Sequence, residues 1–293
     1  MAIAKGNETK EVSFKRYYGI GNVNIIAVNP TKAELAKLGR EVEEEPVYVT
    51  EKDGVKTIRV TLYAHPIEFE NKDELLTMSF FIRNQRFASK DKGTFQVIDS
   101  YGRTAWVNED QLKTHEIPVY SNGNAASIAN NYRPTFSGED NFTQFVKTYL
   151  GIPNVTTYVD GQWVPNPKVT PADCEVRFDH VDRWFNNDIK EIKDSFAYQP
   201  NNTAQVLFDV RTDDQNREYQ GFFIDKFFRG IKTIDGKYQS EAFAKEVEKI
   251  NSNPATSGRY ANTEFYYGPL KEYSPAATNF ETEETSATDN PWD

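Results

Sequence analysis

Apolar and polar positions alternate with a period of two over much of this chain, and helical spacing takes over in the middle. In "VKTIRVTLY" (55–63), Val55, Thr57, Arg59, Thr61 and Tyr63 fall on one side, while Lys56, Ile58, Val60 and Leu62 fall on the other. Successive strand side chains point to opposite faces, so this run predicts a half-buried strand. "FKRYYGIGNVNIIAV" (14–28) is rich in β-branched and aromatic residues and predicts a long strand bent or bulged at Gly19 and Gly21. "LLTMSFFIR" (75–83) predicts a third strand. Residues 94–98 and 104–107 predict a hairpin around "DSYGR". Further hairpins are expected at 158–164, on Asp160-Gly161, and at 204–211 with 217–228, around "TDDQN". A closing strand is expected at 263–267.

Helical spacing appears elsewhere. Phe142, Phe145, Val146, Tyr149 and Leu150 recur at three and four residues, the stripe of an amphipathic helix. Val181, Phe185, Ile189, Ile192 and Phe196 mark a second helix. Short helices are expected at 31–39, which Gly39 stops, and at 241–250. Residues 115–137 lack either period. The expected fold is mainly β with inserted helices (α+β): an antiparallel barrel like the oligonucleotide-binding (OB) fold, with a large helical insertion at roughly 108–200. Residues 1–11 read as a mobile polar arm, 12–273 as the body, and 274–293 as a disordered acidic tail.

Composition narrows the class. A single Cys174 excludes a disulfide framework, and with three His it excludes a zinc finger or ribbon. There is no apolar leader and no run long enough to span a bilayer, which predicts a protein of a reducing cytosol without a membrane partner. Net charge is −10, which weighs against a nucleic-acid partner until its placement is considered. Six acids and no bases follow Lys271, leaving 38 acids against 34 bases in the rest. Near-neutral charge overall leaves room for a local cationic groove.

Candidate catalytic chemistry is sparse. "YGIGN" (18–22) is a partial glycine pattern inside a strand, read as a bulge before a phosphate loop. His65, His115 and His180 stand in separate segments. Cys174, in "PADCE", reads as a structural thiol before a nucleophile. Asp213-Asp214 reads as a hairpin tip before a metal pair. No enzyme, cofactor or metal is expected.

What recurs is Arg or Lys beside an aromatic: "FKRYY" (14–18), "FFIRNQRF" (80–87), "YGRTAW" (101–106), "NNYRPTF" (130–136), "NREYQGFF" and "DKFFRG" (216–230). Cations that track phosphates and rings that stack on unpaired bases bind single strands. In strands about half of such rings face the core instead. One ring each of Phe80/Phe81 and Phe222/Phe223 is expected there, and Trp106 fits core or platform equally. The expected DNA-binding surface is Lys15, Arg16, Arg83, Arg86, Phe87, Tyr101, Arg103, Trp106, Tyr132, Arg133 and Phe136. In "NFETEETSATDNPWD" (279–293), acids surround one aromatic stiffened by Pro291. Asp289, Pro291, Trp292 and Asp293 are expected to dock partner proteins, and the acids to compete with DNA.

The stretches "YYGIGNVNIIAVNPTKAEL" (17–35), "VIDSYGRTAWV" (97–107), "YSNGNAASIANNYRPTF" (120–136) and "QPNNTAQVLFDVRT" (199–212) resemble proteins of the large crAss-like phages of gut Bacteroidales. With the acidic tail, the chain is similar to single-stranded-DNA-binding proteins of tailed bacteriophages. That resemblance implies an OB-fold body that coats single strands in replication and recombination, in the cytoplasm of the infected host. It also implies a tail that contacts replication or recombination proteins, and no catalysis. Some such proteins hold a structural zinc, for which this chain lacks the Cys and His. The alternative expectation is a virion or scaffold-type structural protein that does not bind DNA.

Overall fold

The computed structural model describes residues 15–71, 74–89, 91–160, 162–197, 202–212, 218–229 and 269–273. The expected N-terminal arm, the 241–250 helix, the 263–267 strand, the tip of the 204–228 hairpin and the acidic tail lie outside the described residues.

In chain order the described elements are β1 (Tyr17–Val28), α1 (Lys32–Lys37), β2 (Val49–Lys52), β3 (Val55–Pro66), β4 (Leu76–Arg86), β5 (Ala88–Ser89), β6 (Thr94–Ile98) and β7 (Thr104–Val107). Then come α2 (Glu109–Thr114), β8 (Arg133–Pro134), β9 (Phe136–Ser137), α3 (Glu139–Leu150), β10 (Thr156–Val159) and β11 (Gln162–Pro165). A 3-10 turn (Pro171–Cys174), α4 (Val181–Trp184), α5 (Lys190–Ala197), β12 (Ala204–Thr212), β13 (Glu218–Arg229) and β14 (Lys271–Glu272) follow. The protein is mainly β, as the alternation implied. Its large sheet runs β13-β12-β1-β3-β4-β9, with β2 on β3 and β14 on β1, and every pairing in it is antiparallel.

This sheet curls into a half-barrel. The curl brings Phe222 of β13 against Phe80 of β4, with ring centroids 5.4 Å apart. The concave side is filled by α3 and α5. Phe142, Phe145 and Tyr149 of α3 are fully buried among Phe80, Phe178, Trp184 and Phe196. The stripe at three- and four-residue spacing is therefore the core face of α3. Burying each such aromatic contributes about 2–3 kcal/mol, enough to hold a helix whose N-terminal Gly138 offers no side-chain cap.

Several boundaries differ from expectation for local reasons. The second helical stripe is one face of two helices, because Asn187 takes a left-handed φ of 63° and breaks the backbone between α4 and α5. In β1 the pairing irregularity falls between Ile25 and Ala27, away from the glycines. Gly19 does take a positive φ of 106°. At Gly21 a Cβ would meet the end of the Leu270 side chain at 2.9 Å, so a larger residue there needs Leu270 to shift. β2 was not foreseen, although Asp53-Gly54, both at positive φ, form the turn that joins it to β3.

A smaller sheet, β5-β6-β7 with β8 on β6, carries its own core of Val97, Ala105, Val107, Ala126, Ile128 and Tyr132. The 108–200 stretch supplies β8 and β9 to the two sheets and α3 and α5 to the main core. Among the described residues β10 and β11 pair only with each other.

Candidate nucleic-acid interface

The outer, convex face of β3 and β4 follows directly from alternation. Ile58, Val60, Leu62, Met78, Phe80 and Ile82 point into the core, so Arg59, Phe81 and Arg83 point out. Register places Arg59 directly opposite Phe81 and Thr57 opposite Arg83. The Phe81 ring is 59% exposed, whereas its neighbour Phe80 is 3% exposed. One ring of the adjacent pair is thus core and the other is surface.

The cations around Phe81 have no ion-pair partner among the described residues. Arg59 donates to the Val47 carbonyl at 3.2 Å and lies 5.7 Å over the Tyr48 ring. Arg83 is exposed. Among the described residues no carboxylate lies within 4 Å of the guanidinium of Arg59, Arg83 or Arg86. A register shift between Arg83 and Arg86 interrupts the β4–β9 pairing there. Such irregularities re-aim the side chains that follow. Arg86 comes to rest 5.9 Å over the Phe95 ring.

Next to this stripe, Phe87 and Trp106 pack at 5.4 Å, and Trp106 is 39% exposed. In the small sheet Phe95 is opposite Val107 and Trp106 is opposite Gln96, so Phe95 and Trp106 leave opposite faces. The Arg86–Phe95 and Phe87–Trp106 pairs therefore stand back to back.

The remaining expected residues go elsewhere. Tyr132 is 1% exposed. Its hydroxyl lies 2.7 Å from the Gln111 carbonyl and 2.8 Å from that of Glu116, closing the small core. A ring so enclosed has no face left for a base. Burial also pushes its phenol pKa up. Arg133 bonds both oxygens of Glu139, whose side chain has no exposure, and also the Phe178 carbonyl. Phe136 is half-buried, 5.1 Å from Phe185.

Arg103 is tied to buried Asp99 at 2.8 Å and caps the half-buried Tyr101 ring at 5.1 Å. Asp99 also accepts from the backbone N–H groups of Tyr101, Arg103 and Ala129. Lys147 of α3 donates to the Tyr101 carbonyl, and Gln144 to that of Gly102. Burial lowers the pKa of Lys147.

Lys15 bridges Glu74 and Glu272 at 3.3 and 3.0 Å, and hydrogen bonds to Glu272 and Glu74 raise its pKa. Arg16 is held by Glu218. Both stand at the far end of the sheet, because Val23 pairs with Pro66 while Arg83 pairs with Thr57. Asp289, Pro291, Trp292 and Asp293 lie outside the described residues.

The structure thus gathers Arg83 with Phe81 and Arg59, turns Arg86 to the other face beside Phe136 and Phe95, and packs Phe87 on Trp106 beyond the end of β4. Lys15, Arg16, Arg103 and Arg133 are committed to carboxylates, and Tyr132 to a core. Phe81 and Arg59 were missing from the expected surface, although the alternation through 55–63 already put Arg59 on the polar side. Among the described residues no helix is long and apolar enough to cross a membrane. The fold and this surface define an antiparallel half-barrel with an exposed aromatic beside two guanidiniums that pair with no carboxylate among the described residues. Comparison with known protein families, curated proteins and solved structures finds no match.

Proposed function

We propose that the protein binds single-stranded DNA without sequence preference along the convex face of β3 and β4, as an OB-like module. The observation that carries this reading is Phe81: a large ring, 59% exposed, on a rigid strand, opposite Arg59 and two residues from Arg83. Base–aromatic stacking contributes ~1–3 kcal/mol per base and tolerates any base. Guanidiniums that no carboxylate pairs among the described residues keep their charge for phosphates. Trp106 offers a second ring at the border of the small sheet. The resemblance to phage proteins is what supports reading this activity as part of replication and recombination in an infected host cell, with the acidic 279–293 segment docking partner proteins. No catalytic step is assigned.

The test is a fluorescence titration with a dT oligomer and a duplex of equal length. Preference for the single strand is expected. With Arg59 and Arg83 as the phosphate contacts, log affinity should fall with log salt at a slope of about −1.4, at ~0.7 per phosphate. Equal or absent binding to both strands overturns the proposal.

One observation favours a second reading, a structural protein that assembles through protein contacts. Among the described residues the hairpin β10–β11 shares no ladder with other strands, and it exposes Val159 (46%) and Trp163 (64%). Concentration-dependent sedimentation that Trp163→Ser abolishes, without any oligonucleotide binding, selects that reading.

A further inference from the structure

The convex face does not stop at β3. β2 joins β3 on the edge away from β4, so Thr57 is opposite Thr50 on one side and Arg83 on the other. Residues directly opposite each other share a face, with Cβ atoms about 4.5–5.5 Å apart. Three rows across the strands therefore stand on the convex side. The first is Tyr48, Arg59 and Phe81, because the Arg59 N–H donates to the Tyr48 carbonyl at 2.8 Å and Phe81 is opposite Arg59 on β4. The second is Thr50, Thr57 and Arg83. The third begins with Lys52, opposite Val55.

Lys52 thus adds a cation to the face that carries Arg59 and Arg83. It is exposed, and no carboxylate lies within 4 Å of it among the described residues. The neighbouring acids are sorted by the same alternation. Glu51 is opposite Lys56 and leaves the other face. Asp53 sits in the turn itself, at a φ of 52°. The acidic 41–45 run leads into the Tyr48 end of β2, where Glu45 accepts from the Lys32 N–H at the start of α1. From Tyr48 to Lys52 the strand runs about 13 Å at 3.3 Å per residue. A polyanion on this face meets cations and two threonine hydroxyls toward the β2–β3 turn, and carboxylates toward the other end.

We propose that the single strand crosses β4, β3 and β2 rather than following them. Its phosphates pass over Arg83 and Lys52, with the Thr57 and Thr50 hydroxyls between, and a base turns back onto Phe81. This rests on the single-strand reading above and adds to it Lys52, a contact on a third strand. Arg83 and Lys52 stand about 12 Å apart between Cα atoms, at about 4.8 Å per strand and 3.4 Å per residue. Both side chains are long enough to narrow that gap from either side.

The test is a dT-oligomer titration across a range of salt for wild type, Lys52→Ala, Phe81→Ala and Lys168→Ala, the last an exposed lysine beside β11. With three contacts the wild-type slope should be about −2.1, against about −1.4 with two, at ~0.7 each. Wild type should bind tighter than Lys52→Ala at low salt, and that advantage should shrink about fivefold for each tenfold rise in salt. Phe81→Ala should weaken binding and keep the slope, because its ring carries no charge. Lys168→Ala should match wild type. A Lys52→Ala titration that matches Lys168→Ala, while Phe81→Ala still weakens binding, overturns this inference and leaves the single-strand reading standing. An equal effect of Lys52→Ala on a duplex of the same length overturns it too, since a path over three strands is then not what Lys52 serves. Absence of binding by wild type overturns both.

Discussion

Phe80 and Phe81 are adjacent in sequence and opposite in fate, and the pair gives the sharpest test of the proposed interface. Phe81→Ala removes a ring that is 59% exposed and directly opposite Arg59. It should leave stability within about 0.5 kcal/mol, as surface substitutions do. If one base stacks there, the loss is ~1–3 kcal/mol of binding, or about 5- to 150-fold in affinity at 1.4 kcal/mol per decade. Phe80→Ala removes a ring that is 3% exposed and meets Phe142, Phe145 and Phe222 at 5.3–5.4 Å. That change should cost about 3–5 kcal/mol of stability through the cavity left behind. The assays are urea unfolding for both variants and dT-oligomer titration by anisotropy at fixed salt. An unchanged affinity in Phe81→Ala, with its stability also unchanged, refutes the stacking role of this face.

Other consequences are equally direct. Gly138 starts α3 at φ 89°, and a Cβ there would lie 2.2 Å from the Phe81 carbonyl oxygen. Gly138→Ala should therefore destabilise by several times the ~1 kcal/mol typical of a point mutation, measured as a fall in the urea midpoint. Glu139→Gln leaves Arg133 partly buried without its counter-charge and should cost about 3 kcal/mol or more by the same measurement. Burial and a hydrogen bond to Glu74 push the Tyr17 phenol up to about 12, from an ordinary value of 10.0. Between those values the folded state holds a proton the unfolded state has lost, so stability falls as pH rises. Relative to wild type, Tyr17→Phe should lose about 1 kcal/mol less between pH 8 and pH 11, read by unfolding at the two pH values.

Legibility in the sequence tracked the regularity of the backbone. The strict alternation of 55–63 and the spacing of Phe142, Phe145 and Tyr149 fixed which side chains face the core, because period alone decides it. Composition leaves Phe80-Phe81 undecided, but the alternation of Leu76, Met78, Phe80 and Ile82 with Thr77, Ser79, Phe81 and Arg83 already puts Phe81 on the outer face. Tyr132 looked like a loop aromatic because 115–137 has no period. Yet that stretch folds over β6 and β7 and brings Ala126, Ile128 and Tyr132 into a separate small core. Arg103 and Arg133 looked like free cations beside rings. Their partners were close by in sequence: Asp99 in the same turn, and Glu139 at the start of the next helix. A search for acids within six residues would have demoted both. The α4–α5 break rests on one left-handed Asn187, a conformation the apolar stripe does not encode.

The near-contact between Gly138 and the Phe81 carbonyl also has a mechanical meaning. Two backbones abut there with no side chain between them to absorb movement. Lys147 and Gln144, further along the same helix, grip the β6–β7 turn. A load placed on the exposed ring would thus pass into α3 and reach that turn through stiff parts alone. Slowed amide exchange along 139–150 on loading would be its signature, some distance from any atom the load touches.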